Sequence, residues 1–485
     1  MGVQNNIMKS VLITTAIDYV NARPHVGHAV EKVQADVLAR YYRSQNDEVF
    51  FLTGADENSI KNVLAAKKEG KEVKQFIDEN TAKFEALKDQ LNLSYDKFIR
   101  TTSEEHFEGC KKFWQAMKAE DIYKKNYDGL YCVGCEEFKT TKDLISGKCP
   151  EHQMVPEKIE EENYFFKLSN YQDQLLEIIE SNKVKIVPDF RRNEVISFIK
   201  GGLEDFSISR SVERACNWGV PVPGDDKQIM YVWVDALANY ITALGYDKES
   251  ENYQKFWVNG DRKLHIIGKG IMRFHAVYWL AMLLSANLPL PSEIYIHEYL
   301  TIDGQKMSKT LGNVIYPEDL VKKYGADGTR YLLLSALPYT SDGDISWQKM
   351  DMKFNADLAN GLGNLTNRTL MMIKKYGLKS EIRNLKSETN LKSQIQITKL
   401  IENRKFELAL KEIWQGIKEQ NQYIDQNKPW ELAKSDNTKL VEVLASVYQY
   451  LSSLVLPISY FMPATAESMK KQLELLEPKP LFPRI

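Results

Sequence analysis

The start of the chain alternates apolar runs with an amphipathic segment, which predicts a strand, a helix and a second strand. Residues 11–17, Val-Leu-Ile-Thr-Thr-Ala-Ile, form the continuous apolar run that is typical of a strand buried on both faces. Apolar residues at spacings of three or four then predict a helix with one buried face: Val26, Val30, Val33, Val37 and Tyr41. An apolar run at 48–54 predicts the next strand. A doubly wound parallel sheet begins in this order.

The rest of the pattern predicts an insertion and a helical end. The sheet pattern breaks off near 116 and resumes near 229, and an Asp303-Gly304 pair between an apolar run and a lysine-rich loop predicts a hairpin turn. From 354 the pattern is helical almost to the last residue, which predicts a helix bundle. The predicted segments are the first half of the sheet domain at 1–115, the insertion at 116–228, the second half of the sheet domain at 229–298, a lysine-bearing loop region at 299–353 and an all-α domain at 354–485.

The composition indicates folded domains and leaves the function open. The chain has 485 residues, 43% of them hydrophobic, and its 64 basic and 66 acidic side chains give a net charge of −2. This length suggests about three domains. Because the net charge is close to zero, a nucleic-acid partner would have to meet a local basic surface. No signal-peptide, transit-peptide or membrane-spanning pattern occurs in the sequence, so we expect a cytoplasmic protein without a membrane partner.

The cysteines predict a metal site. A disulfide scaffold is excluded, because the chain has only 5 cysteines in 485 residues. Cys132 and Cys135 form one close pair, and Cys149 and His152 form another. Two ligands from each of two tight turns can complete a tetrahedron around one structural zinc ion. The remaining thiols, Cys110 and Cys216, are expected to be ordinary buried residues.

Two further motifs have the chemistry to bind phosphate. His25 and His28 flank Gly27 where the first predicted strand gives way to the helix, and a helix start at that place can bind an anion. Lys306 and Lys309 follow the predicted hairpin and could neutralise a triphosphate. Alternatively, the two histidines are bonded only to backbone carbonyls, and the two lysines belong to an ordinary solvated loop.

Together these motifs resemble the signature of the class I aminoacyl-tRNA synthetases, and the whole chain is similar to the methionyl family. The resemblance is carried by LITTAIDYVNARPHVGH, LTGADE, GLEDFSISR, YVWVDALANY, FHAVYW, KMSKTLGN and PLFPRI. It implies an α/β fold: a doubly wound parallel-sheet (Rossmann-type) catalytic domain with an inserted zinc-knuckle domain and a C-terminal all-α helix bundle. It also implies that methionine and ATP, with Mg²⁺, give methionyl-adenylate and pyrophosphate, and that methionine is then transferred to its tRNA.

The resemblance assigns roles to residues. The implied catalytic groups are His25, His28, Lys306 and Lys309, and ATP binding adds Gly27, Met307 and Ser308. The implied methionine site consists of Ile17, Tyr19, Asp56, Trp233, Tyr240, Ile271 and His275, with Asp56 on the α-ammonium group. The implied anticodon-binding residues are Asn364, Arg368 and Trp430. Aromatic walls suit a thioether, since contacts between sulfur and rings are favourable. The alternative for the aromatic residues of the methionine site is that they belong to the core. The alternatives for Asn364, Arg368 and Trp430 are a helix cap, a surface arginine and a packing tryptophan.

The cysteine-histidine set resembles the single zinc knuckle of one methionyl subtype. The insertion is too short for the separate editing domain of the leucyl, isoleucyl and valyl relatives. With PLFPRI at its end, the chain is expected to lack the oligomer-forming RNA-binding appendage of some relatives and to be a monomer.

Two positions depart from the family pattern and leave other functions open. Asn58-Ser59 replaces the usual His-Gly, and Gly270 replaces an acid expected near the ATP ribose. The alternatives are therefore a catalytically silent tRNA-binding paralogue and a class I synthetase for another apolar amino acid. The intact histidine and lysine motifs favour the active methionyl enzyme.

Overall fold

The computed structural model of the chain describes residues 8–134, 137–139, 141–150, 153–307, 312–383 and 391–485. The chain divides into two compact units. The first unit comprises the residues up to Pro24, Asn46–Ala86 and Tyr95–Ile296, and the second comprises His25–Gln45, Leu87–Ser94 and His297–Ile485. The helix that follows the first strand therefore belongs to the second unit, whereas the sequence pattern grouped it with the sheet domain.

The strands of the described residues lie between Ser10 and Ile345. In chain order they are β1 Ser10–Thr15, β2 Asp18–Tyr19, β3 Glu48–Asp56, β4 Lys97–Arg100, β5 Ile122–Cys132, β6 Glu137–Lys139, β7 Glu157–Phe166, β8 Lys185–Val187, β9 Phe206–Ser207, β10 Ser209–Ser211, β11 Pro221–Val222, β12 Asp225–Met230, β13 Arg262–Gly268, β14 Glu293–His297, β15 Leu300–Ile302, β16 Gln305–Lys306 and β17 Gly343–Ile345.

Helices occur throughout and dominate the last third. In chain order they are α1 Val26–Ser44, α2 Ile60–Lys68, α3 Val73–Glu85, α4 Leu87–Gln90, α5 Glu104–Ala116, α6 Gln172–Glu180, α7 Asp189–Lys200, α8 Val232–Thr242, α9 Leu280–Ser285, α10 Pro317–Ser335, α11 Trp347–Lys353, α12 Asn364–Lys375, α13 Lys379–Arg383, α14 Leu391–Glu402, α15 Phe406–Asn427, α16 Pro429–Ser435, α17 Asn437–Phe461 and α18 Pro463–Leu475. Wider π-helical segments lie at Tyr253–Val258, Phe274–Trp279 and Phe354–Gly363.

The first unit is built on a sheet of seven strands in the order β2-β3-β1-β13-β14-β8, with β4 paired to β3. The pairs β1–β3, β1–β13, β3–β4 and β14–β8 are parallel. Val11, Leu12 and Ile13 in β1 are completely buried, as a central strand covered on both faces requires. The predicted parallel sheet is confirmed.

The insertion of the first unit contains antiparallel strands. One sheet has the order β6-β5-β7-β9 and the other has the order β10-β12-β11. The long β5–β7 pair runs in continuous register from Ile122 opposite Phe166 to Tyr131 opposite Glu157. This pair carries Cys132 at the end of β5.

The second unit is mainly helical, and α17 is its longest helix. By length and composition alone α17 could cross a membrane, with a mean hydropathy of 1.4 and 44% of its apolar window buried. It packs against α1, α12, α15 and α18 of the same unit. Its Val443, Leu444 and Leu451 are completely buried. The position of α17 is therefore that of a bundle core helix.

A buried ion pair joins α1 to α10 within the second unit. The Arg330 guanidinium lies 2.7 Å from the Asp36 carboxylate, and both side chains are fully inaccessible to solvent. Arg330 also donates to the carbonyl oxygens of Phe461 at 2.7 Å and Tyr460 at 3.1 Å. Arg40 donates to Asp36 at 2.7 Å. Burial alone would raise the pKa of the Asp36 carboxyl, but Arg330 and Arg40 hold that pKa below its usual value.

The predicted hairpin is confirmed between β15 and β16. Thr301 pairs with Lys306 and Ile302 with Gln305 in antiparallel register. Asp303 and Gly304 at the turn have φ values of 49° and 74°, the left-handed conformation that a two-residue hairpin needs. The Asp344 carboxylate accepts a hydrogen bond from Gly304 N–H at 2.7 Å, which fixes the turn that precedes Lys306.

Candidate functional site

The two histidines at the start of α1 cap the helix and hold each other. The Nδ1 atom of His25 accepts from Gly27 N–H at 3.1 Å, and the Nδ1 atom of His28 accepts from His25 N–H at 3.1 Å. The rings stack with centroids 3.7 Å apart. Because each Nδ1 accepts from the backbone, the neutral form of each ring carries its proton on Nε2. Both rings are therefore oriented as Nε2–H donors at a helix N-terminus, where anions bind.

Gly27 is required by the packing of these rings. A Cβ built at Gly27 would lie 2.9 Å from His25 Cε1, so any side chain there would displace the ring. The same position is 3.5 Å from Met307 Cε, which places the chain after β16 against the start of α1. Ile315 C=O also accepts from Val26 N–H at 3.2 Å. The second unit thus brings the histidine motif and both described ends of the lysine loop together.

Lys306 is exposed at the end of β16, and Met307 is half-buried. Two other residues of the predicted phosphate site, Ser308 and Lys309, lie outside the described residues. The described part of the site therefore comprises His25, His28 and Lys306 as polar side chains.

In the first unit, the residues predicted to bind methionine lie where parallel strands end. Ile17 follows β1, Asp56 ends β3, and Ile271 follows β13. Tyr19 in β2 lies opposite Asp56 in the parallel β2–β3 pair. The carboxyl ends of parallel strands form the edge where doubly wound sheets bind ligands.

The aromatic members of this set form one connected group. Tyr240 O–H and His275 Nε2 are 2.7 Å apart, and His275 Nδ1 lies 2.9 Å from the carbonyl oxygen of Ile271. Since a carbonyl only accepts, His275 carries its proton on Nδ1 and accepts from Tyr240 on Nε2. The Trp233 ring packs edge-on to His275 at 6.4 Å and stacks on Phe274 at 3.8 Å. The polar atoms of Tyr240 and His275 are thus paired with each other and with the main chain.

Asp56 supplies the negative charge of this group. Its side chain is almost fully buried, with 3% of the residue exposed. Asn58 N–H donates to Asp56 Oδ1 at 3.3 Å, and Asn62 Nδ2 donates to the Asp56 carbonyl at 2.9 Å. Lys61 lies 4.3 Å from the centroid of the Tyr19 ring. An almost buried carboxylate beside aromatic side chains is suited to binding a small cationic group.

The second unit also brings the three predicted anticodon residues together. Asn364 and Arg368 lie one turn apart on α12 and line a cleft of about 700 Å³. The Arg368 guanidinium lies 5.3 Å from the Trp430 ring centroid and 2.7 Å from Asp425. Trp430 is 40% exposed at the start of α16, so its ring can stack on a base.

The predicted zinc ligands are described only in part. Cys132 and Cys149 are buried, whereas Cys135 and His152 lie outside the described residues. Within the described residues no group of three or more His, Cys, Asp or Glu side chains is placed to hold a metal. Of the two remaining thiols, Cys110 is buried as predicted, but Cys216 is exposed, so that prediction is wrong. Cys216 lies in a turn with a φ of 53°, and a turn places its residues at the surface.

Comparison with known proteins decides the family. A family model for class I tRNA synthetases of the methionyl type (M) matches residues 11–155 and 152–370. A methionine–tRNA ligase of Brucella suis is 41% identical over 97% of this chain and 97% of its own length. The chain belongs to the class I methionyl-tRNA synthetases.

Other members of this family agree in sequence and fold. A methionine–tRNA ligase of Clostridium acetobutylicum is 42% identical over 96% of this chain and 74% of its own length. The solved Mycobacterium tuberculosis methionyl-tRNA synthetase in complex with methionyl-adenylate is 36% identical, with a TM-score of 0.89. That comparison covers 98% of this chain and 100% of the solved chain. The predicted fold class is confirmed.

The sequence pattern did not point to His265, which packs against the residues predicted to bind methionine. His265 is completely buried, stacks on Tyr240 at 4.1 Å and bonds Thr14 Oγ1 at 2.7 Å through Nδ1. Burial lowers the pKa of His265 well below its usual value, and the nearby His275 and Lys263 lower it further, so the ring is neutral. A histidine within the apolar strand KLHIIG was the available signal.

Proposed function

We propose that this chain attaches methionine to its tRNA in two steps, through methionyl-adenylate. The observation that carries the proposal is the contact between the histidine motif and the lysine loop, in a chain of the methionyl family. In the first step the methionine carboxylate attacks the α-phosphate of ATP and pyrophosphate leaves. In the second step a hydroxyl of the terminal adenosine of the tRNA attacks the adenylate, and AMP leaves.

The phosphate groups are assigned to the second unit. His25 and His28 donate from Nε2 to phosphate oxygens, and Lys306 with Lys309 neutralises the charge that moves onto pyrophosphate. Little covalent work falls to the protein, so donors that are already oriented supply most of the rate enhancement. The mutual capping of the two histidines supports this role, because it fixes their rings before ATP binds. Mg²⁺ arrives as part of the ATP complex and adds positive charge.

Methionine is assigned to the first unit. Asp56 binds the α-ammonium group, and the side chain lies among Ile17, Tyr19, Trp233, Tyr240, Ile271 and His275. The polar atoms of Tyr240 and His275 are already hydrogen-bonded, so these side chains offer a ligand mainly the faces and edges of their rings. Such a surface favours a thioether side chain.

The amino-acid specificity is tested by exchange of labelled pyrophosphate into ATP in the presence of each amino acid in turn. Only methionine is expected to support exchange. Exchange with a different apolar amino acid would identify another class I synthetase. Failure with every amino acid, together with retained tRNA binding, would identify a catalytically silent paralogue.

The anticodon is assigned to Asn364, Arg368 and Trp430 of the second unit. We expect Trp430→Ala to weaken charging of tRNA while methionine-dependent exchange stays unchanged. A lost stacking contact costs about 1 to 3 kcal/mol in binding a base, and the ring touches no reacting group. The two rates are measured on the same preparation, and Leu475→Ala, another exposed apolar residue of this unit, is the control. Equal loss in both assays would make Trp430 a folding residue.

Zinc is proposed as a structural ion held by Cys132, Cys135, Cys149 and His152. The two described thiols fit this role, because both are buried, and Cys132 lies at the end of β5. Gln153 N–H donates to the Cys149 carbonyl at 2.8 Å and Cys149 N–H donates to the Met154 carbonyl at 2.9 Å, so the chain closes a tight turn after Cys149. Four protein ligands leave no open coordination position, which makes the ion structural.

We expect the reduced protein to bind one zinc ion per chain. Metal analysis of protein dialysed without chelator should show this ratio, and Cys149→Ser should lower it, because serine is a poor zinc ligand. Cys216→Ser is the matched control, since Cys216 is exposed and outside the proposed set. Normal zinc content in Cys149→Ser would contradict the assignment.

We place the enzyme in the cytoplasm, without a membrane partner, and as a monomer. The low number of cysteines and the clustering of three of them in a zinc-type pattern support a reducing compartment.

A further inference from the structure

The Asn58 side chain forms a buried polar link in the first unit. Asn58 is 6% exposed, and its Nδ2 donates to the Thr101 carbonyl at 2.9 Å and to Asp235 Oδ2 at 3.1 Å. A carbonyl and a carboxylate oxygen are both acceptors, so only the nitrogen of the amide can face them. The orientation of this side chain is therefore fixed by its two partners.

One partner of Asn58 lies on a helix of the proposed methionine pocket, and the other lies beside the sheet. Asp235 lies in the first turn of α8, the helix that also carries Trp233 and Tyr240. Thr101 follows β4, next to β3 in the sheet. Thr101 and Asp235 are both completely buried. Asn58 thus connects the end of β3 to the aromatic wall of the pocket.

The main chain of Asn58 acts directly on Asp56. Its N–H donates to Asp56 Oδ1 at 3.3 Å, so the direction of the carboxylate depends on where the Asn58 backbone lies. The backbone is in turn anchored by the side-chain amide. Without the Asn58 amide, the buried Thr101 carbonyl and Asp235 carboxylate each lose a donor, and the Asn58 backbone loses the two bonds that hold it.

We propose that Asn58 is a positioning residue for the α-ammonium group of methionine, acting by holding the Asp56 carboxylate in its binding direction. This inference rests on the proposed role of Asp56. It concerns binding of the amino group and leaves the phosphate chemistry of the second unit untouched. It also predicts a selective defect, confined to ligands that carry an ammonium group.

The test compares two inhibitors of methionine-dependent exchange. Methioninol keeps the ammonium group and lacks the carboxylate, and 4-(methylthio)butanoate lacks the ammonium group. In Asn58→Ala we expect the KM for methionine and the Ki for methioninol to rise roughly tenfold, the effect of losing one or two buried hydrogen bonds. The KM for ATP and the Ki for 4-(methylthio)butanoate should change less than about twofold.

Asn80→Ala is the matched control. Asn80 belongs to the same unit and is also 6% exposed, but its Oδ1 accepts from Lys83 Nζ at 2.9 Å on the same helix. Its kinetic constants should stay at the wild-type values. Asn58→Ser keeps one hydroxyl donor and should fall between the wild type and Asn58→Ala, and thermal unfolding of each variant shows whether it is folded.

Two results would overturn the inference. One is equal weakening of both inhibitors in Asn58→Ala and Asn58→Ser, which would indicate a general collapse of the pocket. The other is an unchanged KM for methionine. Asp56→Asn, measured alongside, separates this failure from that of the proposed function. If Asp56→Asn leaves the KM for methionine unchanged, the proposed role of Asp56 is wrong. If Asp56→Asn raises this KM while Asn58→Ala does not, only the proposed role of Asn58 is wrong.

Discussion

Lys306→Ala is expected to slow formation of methionyl-adenylate by about a hundred- to a thousandfold, near 2.7 to 4 kcal/mol of transition-state stabilisation. Negative charge moves onto the departing pyrophosphate as the bond to the α-phosphate breaks. A cation that meets this charge stabilises the transition state more than it stabilises bound ATP. The rate at saturating ATP should therefore fall more than ATP affinity, and methionine affinity should barely change.

Single-turnover adenylate formation measures this effect directly. Lys306 is exposed at the end of a two-residue strand, so its loss should leave the fold intact. Gln305→Ala, at the neighbouring exposed position of β16, is the control and should retain the wild-type rate. An unchanged rate in Lys306→Ala with ATP saturating would make the loop a solvated surface feature and would contradict the proposed role of Lys306 in adenylate formation.

Arg330→Ala is expected to lower the free energy of unfolding by about 3 to 5 kcal/mol, the usual cost of breaking a buried ion pair from one side. The substitution leaves the Asp36 carboxylate in a site from which water is excluded. It also removes the donors that satisfy the carbonyls of Tyr460 and Phe461. Lys470→Ala, which breaks an exposed pair with Glu474 at 3.9 Å, should change stability by less than about 1 kcal/mol.

The effect of Arg330→Ala should depend on pH in a defined direction. In the native protein the pKa of Asp36 is lower than its ordinary value of 3.8, so this carboxylate stabilises the fold above that value. The stabilisation is lost as the pH falls through 3.8 towards the lower pKa of the folded state. The difference in unfolding free energy between wild type and Arg330→Ala should therefore shrink below about pH 4. Denaturant unfolding at pH 7 and in a series below pH 5 measures it, and a constant difference would contradict the assigned ion pair.

The sequence alone determined the local elements of this protein. The apolar run of β1, the periodicity of α1 and the Asp303-Gly304 turn each depend on residues that are neighbours along the chain, so their pattern is legible without the fold. The two predicted phosphate-binding motifs and the aromatic residues predicted to bind methionine were recognisable because their side chains follow the family's motifs in a fixed order along the chain. Their roles remain proposals, which the exchange and single-turnover experiments test.

Only the tertiary structure decided which distant residues support the site. Asn58 and Asp235 are 177 positions apart, and Tyr240 meets His265 from a different element, so no local period connects either pair. The structure also placed α1 in the second unit, where Asp36 pairs with Arg330 far along the chain. It put Cys216 at the surface, although its residue type favours burial. Long-range hydrogen bonds and ion pairs form where folding brings buried polar groups together, and their free energy depends on that burial, which sequence spacing does not specify.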